Sequence, residues 1–136
     1  MNVIGVGVDL VDLERVSRLL ANKGEQAMQR FFTDGERAYL GTRPEPTGHA
    51  AARIAAKEAV YKALQSLPGA RAVGWREIEV TRDADGRPAI RLHGLAAELQ
   101  RQHGPLVVQV SLTHSATAAG AVAVIGRSER TEMSKD

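Results

Sequence analysis

The chain has 136 residues, with 18 Lys and Arg against 16 Asp and Glu and no cysteine; that length suits one domain with its own core, and the missing thiols exclude a cysteine nucleophile, a cysteine zinc site and redox chemistry on the chain. A net charge of +2 with one Trp, two Tyr and two Phe gives neither the basic stripe nor the stacking platforms of a general nucleic-acid binder. No stretch reaches the roughly 20 apolar residues of a membrane span, and MNVIGVGVDL lacks the basic start and small-residue cleavage site of a signal peptide, so a soluble, cytoplasmic protein is expected.

Val3 to Val8 predicts a buried strand, in which Gly5 and Gly7 mark the close approach of another backbone, with Asp9 at its end. A helix follows from about Asp12, with Leu13, Val16, Leu19 and Leu20 on one face and Arg15 and Arg18 on the other. Thr33 and Glu36 have capping-box spacing, which predicts a short helix to Leu40. GTRPEPTG, 41–48, reads as a loop, and the next helix is expected from Gly48 or His49 to before Pro68-Gly69. WREIEVTRDADGRPAIRLHG predicts a hairpin turning at Asp85-Gly86. Leu95 to Gln102 reads as a helix with Gly104 as its C-cap. LVVQVSLT and AGAVAVI are the last two strands, with His114 in the turn between them. The sum is an α+β domain over 1–126, a mostly antiparallel sheet with helices packed on one side. A charged tail, 127–136, is expected to be frayed.

The helix containing RIAAKEAVYKAL, 53–64, carries most of the candidate chemistry. At about 100° per residue, Ala52, Ala55, Ala56, Ala59, Val60, Ala63 and Leu64 share one broad face that can sit close to a sheet. Glu58 and Lys62 fall on one flank of it, and Arg53 and Lys57 on the other. Ile54 and Tyr61 project opposite the alanines, where water is expected, and so point to a second partner surface.

Singly, each signal has an ordinary structural reading. Glu58 and Lys62 have the spacing of a surface ion pair contributing roughly 0.2–0.5 kcal/mol. GVGVD lacks the third glycine of a dinucleotide fingerprint and lies inside the strand. Asp9 alone reads as a strand-end or cap residue, and His114 alone as a turn residue.

Together and in order, IGVGVDLVDLERV, FFTDGERAYL, ARIAAKEAVYKAL, IEVTRDADGRPAIRLHG and VSLTHSATAAGAVAVI resemble the small bacterial 4'-phosphopantetheinyl transferase family, the holo-(acyl-carrier-protein) synthases. The resemblance runs from about residue 2 to 126, and its G-x-D strand and K-E-A-x-x-K-A helix are specific as a pair. It implies the fold of that family and its reaction. The serine hydroxyl of an acidic apo acyl carrier protein attacks the β-phosphate of coenzyme A, phosphopantetheine is transferred, and 3',5'-ADP leaves, in support of fatty acid or polyketide synthesis. It further implies a homotrimer that binds coenzyme A between subunits.

Carried onto this chain, the resemblance makes Asp9 and Glu58 the ligands of Mg²⁺, with Lys62 directed at a phosphate oxygen. Asp9, Glu58 and Lys62 are thus the expected catalytic set. A cation also relieves the repulsion of two converging carboxylates. Arg53 and Lys57, on the other flank, are expected to face a coenzyme A across a subunit interface, Arg53 suiting the ribose 3'-phosphate through its forked donors. The resemblance places His114 of the T-H turn near the nucleotide or pyrophosphate. Arg15, at the family's D-x-x-x-x-x-R spacing from Asp9, and Arg18 are expected to dock the carrier. Two segments depart from the family. Its glycine-rich G-T-G after the helix is replaced by LQSLPGARAVG, and an aromatic after the T-H turn by Ala118. A coenzyme A-binding or carrier-docking regulator without turnover is the alternative reading. A nucleic-acid module, whose binding would weaken steeply with salt and ignore Mg²⁺, is a third.

Overall fold

The alternating VIGVGVDLV segment runs as one strand, β1 (Asn2–Asp12), in a computed structural model that describes residues 1–128. β1 pairs antiparallel with β5 (Ala118–Arg127), which pairs antiparallel with β4 (Leu106–His114), giving the order β1-β5-β4. A separate antiparallel hairpin is formed by β2 (Ile78–Arg82) and β3 (Pro88–Leu92). Its turn contains Gly86 at φ +83°, a left-handed conformation that favours glycine. The expected α+β architecture is present, with two small antiparallel sheets in place of one.

α3 (Pro46–Leu64) lies against one face of the three-stranded sheet. Ala55, Ala56, Ala59, Val60 and Leu64 have no exposure. The contact is backbone to backbone, because a Cβ at Gly5 or Gly7 would collide with the carbonyl oxygen of Ala63 or Ala59. α3 starts two residues before the expected Gly48, since Pro46 suits a first turn whose N–H groups have no helical partner anyway.

α1 (Leu13–Phe31) packs on α3, and this overturns one expectation. Ile54, placed in water by the helical wheel, is only 7% exposed. Tyr61 is half-buried, and its hydroxyl donates to the Arg71 carbonyl at 2.8 Å. The side of α3 opposite the alanines is therefore covered by the chain itself, by α1 and by the turns at Ala70–Ala72 and Trp75–Glu77.

α2 (Asp34–Gly41) begins with the expected capping box: Glu36 N donates to Thr33 Oγ1 and Thr33 N donates to Glu36 Oε1. α4 (Gly94–His103) ends at Gly104, whose φ of −83° is not left-handed. Gly104 is needed instead because a Cβ there would strike the Gln100 carbonyl. β5 continues through Arg127, the expected start of the tail, and residues 129–136 lie outside the described residues.

Among the described residues no helix covers the outer face of the three-stranded sheet. Val6, Val8 and Leu10 are 61%, 65% and 72% exposed there, with Val122 opposite Val8 on β5. A row of this kind is far more apolar than a solvated strand face needs to be.

Candidate active site

Three of the expected residues come together. β1 presents Asp9 and α3 presents Glu58 and Lys62, one helical turn apart, at the place where Gly5 and Gly7 let the two backbones meet. Asp9 lies inside β1, three residues before its end, because the strand runs on to Asp12. The ordinary pair between Glu58 and Lys62 is not formed. Lys62 Nζ instead lies 3.0 Å from Asp9 Oδ1 and donates to the Val8 carbonyl at 3.0 Å.

The electrostatics leave this group unbalanced. Asp9 Oδ2 is buried without a hydrogen-bond partner. The Glu58 carboxyl is pushed up to about 7, first by burial and then by the neighbouring Asp9, against the opposing pull of Lys62 and Arg15. An orphaned carboxylate oxygen beside a second carboxyl is a donor set suited to a hard divalent cation. Among the described residues no group of three or more acidic, His or Cys side chains is assembled as a metal site. The donor set therefore fits a cation that keeps waters or substrate oxygens in its remaining positions.

Glu58 borders two cavities. One, of about 410 Å³, is walled by Tyr61 and Lys62 on α3 and by Gly74, Trp75 and Ile78 opposite. The other, of about 160 Å³, contains Asp9, Arg15, Phe31 and Ile54 in its lining. Trp75 borders both. Arg15 is exposed at the second cavity, whereas the exposed Arg18 pairs with Glu14 at 3.3 Å.

Arg53 and Lys57, expected together on the opposite flank, part company. Lys57 is a correction: its side chain has no exposure and its ammonium is enclosed by Glu36 Oε1 at 2.7 Å and the carbonyls of Trp75 and Ile78. It borders the 410 Å³ cavity, but its ammonium is committed to these three acceptors and not to a nucleotide. Arg53 lines a separate cavity of about 840 Å³, with Arg82 and Arg87 on the hairpin and Gln109, Val122 and Val124 on the sheet. Its guanidinium lies 4.2 Å from the centroid of the Tyr39 ring, with those of Arg43 and Arg82 at 4.8 and 5.0 Å. Arg82 also donates to the Tyr39 hydroxyl at 2.8 Å.

Among the described residues none of these three arginines is paired with a carboxylate. His49 stacks edge-on against Tyr39, and its pKa is lowered by burial and by the field of Arg53, Arg43, Arg82 and His114. His114 is the exposed last residue of β4 and not a turn residue. Positive charge gathered without a salt-bridge partner suits an anion.

Tyr39, Arg43, Arg82, Trp75 and Glu36 were not singled out by sequence reading. The arginines come from a loop and a strand end, and no local pattern joins them. Glu36 was read only as a cap.

A family model for the 4'-phosphopantetheinyl transferase superfamily matches residues 5–121, which contain both halves of this constellation. The chain belongs to that superfamily. It is 44% identical over 123 residues to a holo-[acyl-carrier-protein] synthase of Gloeobacter violaceus, covering 89% of this chain and 92% of that protein. It is similar to the solved acyl carrier protein synthase of Mycobacterium tuberculosis, with a TM-score of 0.71 and 36% identity over 93% of this chain and 100% of that one. It is also similar to the solved holo-(acyl-carrier-protein) synthase of Bacillus anthracis in complex with coenzyme A. There the TM-score is 0.76 and the identity 28%, covering 94% of this chain and 100% of that one.

Proposed function

We propose that this chain transfers 4'-phosphopantetheine from coenzyme A to a serine of an apo acyl carrier protein. The observation that carries this reading is the meeting of Asp9, Glu58 and Lys62 beside a cavity, in a chain of this superfamily. The serine oxygen forms a bond to the β-phosphorus, the bond from that phosphorus to the bridging oxygen of the α-phosphate breaks, and 3',5'-ADP departs with the bridging oxygen.

Charge accumulates on the phosphate oxygens and the leaving group, so fixed positive charge lowers the barrier. Lys62, already aimed at the carboxylate pair, supplies one such charge. Asp9 and Glu58 hold Mg²⁺, which supplies the Lewis-acid chemistry. Glu58, the half-buried carboxyl beside Asp9, takes the serine proton. The basic group around Tyr39 takes the ribose 3'-phosphate, through Arg53 with Arg43 and Arg82 beside it. His114 stands at its edge, near the nucleotide.

The carboxylate pair and the Tyr39 group belong to different cavities. We propose that copies of the chain join them, as a trimer packed on the outer sheet face. The uncovered Val6, Val8 and Leu10 support this, as does the basic cavity, which has Val122 and Val124 of the same sheet in its wall. Leu10→Asp is expected to lower the mass measured by light scattering and to abolish transfer together.

The decisive experiment incubates the protein with coenzyme A, Mg²⁺ and several apo carrier proteins, fatty-acid and polyketide types among them, and weighs each carrier. Gain of one phosphopantetheine on a carrier is expected. No gain on any carrier, with coenzyme A still bound, would replace the reading with a regulator that lacks turnover.

A further inference from the structure

Lys57 precedes Glu58 on α3 and borders the same 410 Å³ cavity, yet its side chain has no exposure and its ammonium is turned to partners within the fold. Its ammonium and the Glu36 carboxylate are 2.7 Å apart, and both side chains have no exposure. Lys57 also donates to the Trp75 carbonyl at 2.9 Å and to that of Ile78. Glu36 accepts from Val80 N at 2.7 Å through one oxygen and from Thr33 N at 2.9 Å through the other. One ion pair therefore ties the start of α2, the middle of α3, the start of β2 and the turn at Trp75–Glu77.

Two charges buried this way gain little net stability, because desolvation offsets most of their attraction, and apolar replacements are often as stable. What the pair delivers is direction and distance. The segment held by Lys57 is the far wall of the 410 Å³ cavity, formed by Gly74, Trp75 and Ile78, which faces Glu58 and Lys62. The other side of that turn is pinned by Glu77, which accepts from Gly74 N at 2.8 Å and from Leu95 N at 2.9 Å. With the turn fixed from behind, the Lys57 ammonium decides how far Trp75 stands from α3.

We propose that Lys57 and Glu36 are positioning residues for the transfer, a buried clamp that sets the width of the cavity between Trp75 and Glu58. The inference rests on the transferase reading for its effect on turnover, but not for its effect on Trp75.

The test compares wild type with Lys57→Met, which keeps chain length without the charge, and Glu36→Gln, which keeps the shape of the carboxylate. Each is measured well below its own melting temperature. Trp75 is the only tryptophan in the chain, so its quenching by acrylamide reports on the wall directly. Both variants are expected to show stronger quenching. Their kcat/KM for coenzyme A is expected to fall by about tenfold or more, as for a misplaced reacting group, with KM for the carrier unchanged. The double variant should be no worse than the worse single one, since either change opens the same clamp. Variants that melt lower but keep wild-type quenching and wild-type kcat/KM for coenzyme A would show a purely structural pair and overturn the inference. If Lys57→Met does not fold, Glu36→Gln decides by the same two readouts. A wild type that transfers nothing would refute the transferase reading alone, and Trp75 quenching would still decide the clamp.

Discussion

Lys62 Nζ stands 3.0 Å from Asp9 Oδ1 although 53 residues separate the two in the chain. The lysine thus pairs across elements, and among the described residues Glu58, its helical neighbour, forms no salt bridge. Lys62 is also half-exposed, so as a stabilising pair it contributes roughly a few tenths of a kcal/mol. Its value lies in the charge it holds over the site. Lys62→Ala is expected to leave the melting temperature nearly unchanged and to lower kcat by about 10²-fold, or about 2.7 kcal/mol of barrier. Steady-state kinetics beside a thermal melt checks this, and a variant with normal kcat would reduce Lys62 to a surface pair.

Asp9→Asn and Glu58→Gln keep shape and remove one charge each. Both are expected to fold, to lose Mg²⁺-dependent transfer, and to lose most of the stabilisation that Mg²⁺ gives the wild type in a thermal melt. Retention of near wild-type kcat at ordinary Mg²⁺ by either variant would remove that residue from the ligand set.

The Glu58 carboxyl makes stability depend on pH. Its folded value of about 7 lies above the ordinary 4.5, because burial and Asp9 disfavour the charged form. The folded protein then holds a proton that the unfolded chain has released, so the contribution is full below 4.5 and is lost as pH rises towards 7. Without divalent cations, the melting temperature of wild type relative to Glu58→Gln should fall across that window and level off above it. Added Mg²⁺ should raise the wild-type melt more at pH 7.5 than at pH 5.5. A flat difference between the two proteins across pH 4.5–7 would mean that Glu58 ionises freely.

Arg15 borders the cavity that holds Asp9 and Glu58, while Arg18 is already engaged by Glu14. For an acidic carrier the two should therefore differ. Arg15→Glu is expected to raise KM for the carrier about tenfold at low salt, with little change in KM for coenzyme A. Arg18→Glu should add a smaller effect. The wild-type carrier KM should itself rise with salt. An unaltered carrier KM and salt dependence in Arg15→Glu would place the docking face elsewhere than α1.

The meeting of Asp9, Glu58 and Lys62 was legible because every step towards it is local. Glycines at alternate strand positions announce a close backbone neighbour, and a face of alanines announces the helix that can come close. What stayed hidden depended on a third element. The helical wheel gives the direction in which Lys57 and Ile54 leave α3, but not what waits there. Glu36 waits for Lys57 from 21 residues upstream, already accounted for as a cap, and α1 waits for Ile54. Arg53 was legible by itself, but its gathering with Arg43 and Arg82 around Tyr39 was not, since each leaves a different element and only the tertiary fold brings them together.

Gly5 and Gly7 touch no substrate, yet the clearance between β1 and α3 is theirs to set. A methyl group at either position acts as a shim under the helix, lifting Glu58 and Lys62 away from Asp9 as one body while every functional group stays intact. No smaller residue on the helix can compensate, because the obstruction would be the carbonyl oxygen of Ala59 or Ala63 and not a side chain. Tolerance to substitution along β1 should therefore alternate sharply. Exchange of the outward valines should leave the meeting of Asp9 with Glu58 and Lys62 within one chain intact, whereas any side chain at the inward glycines should pull it apart.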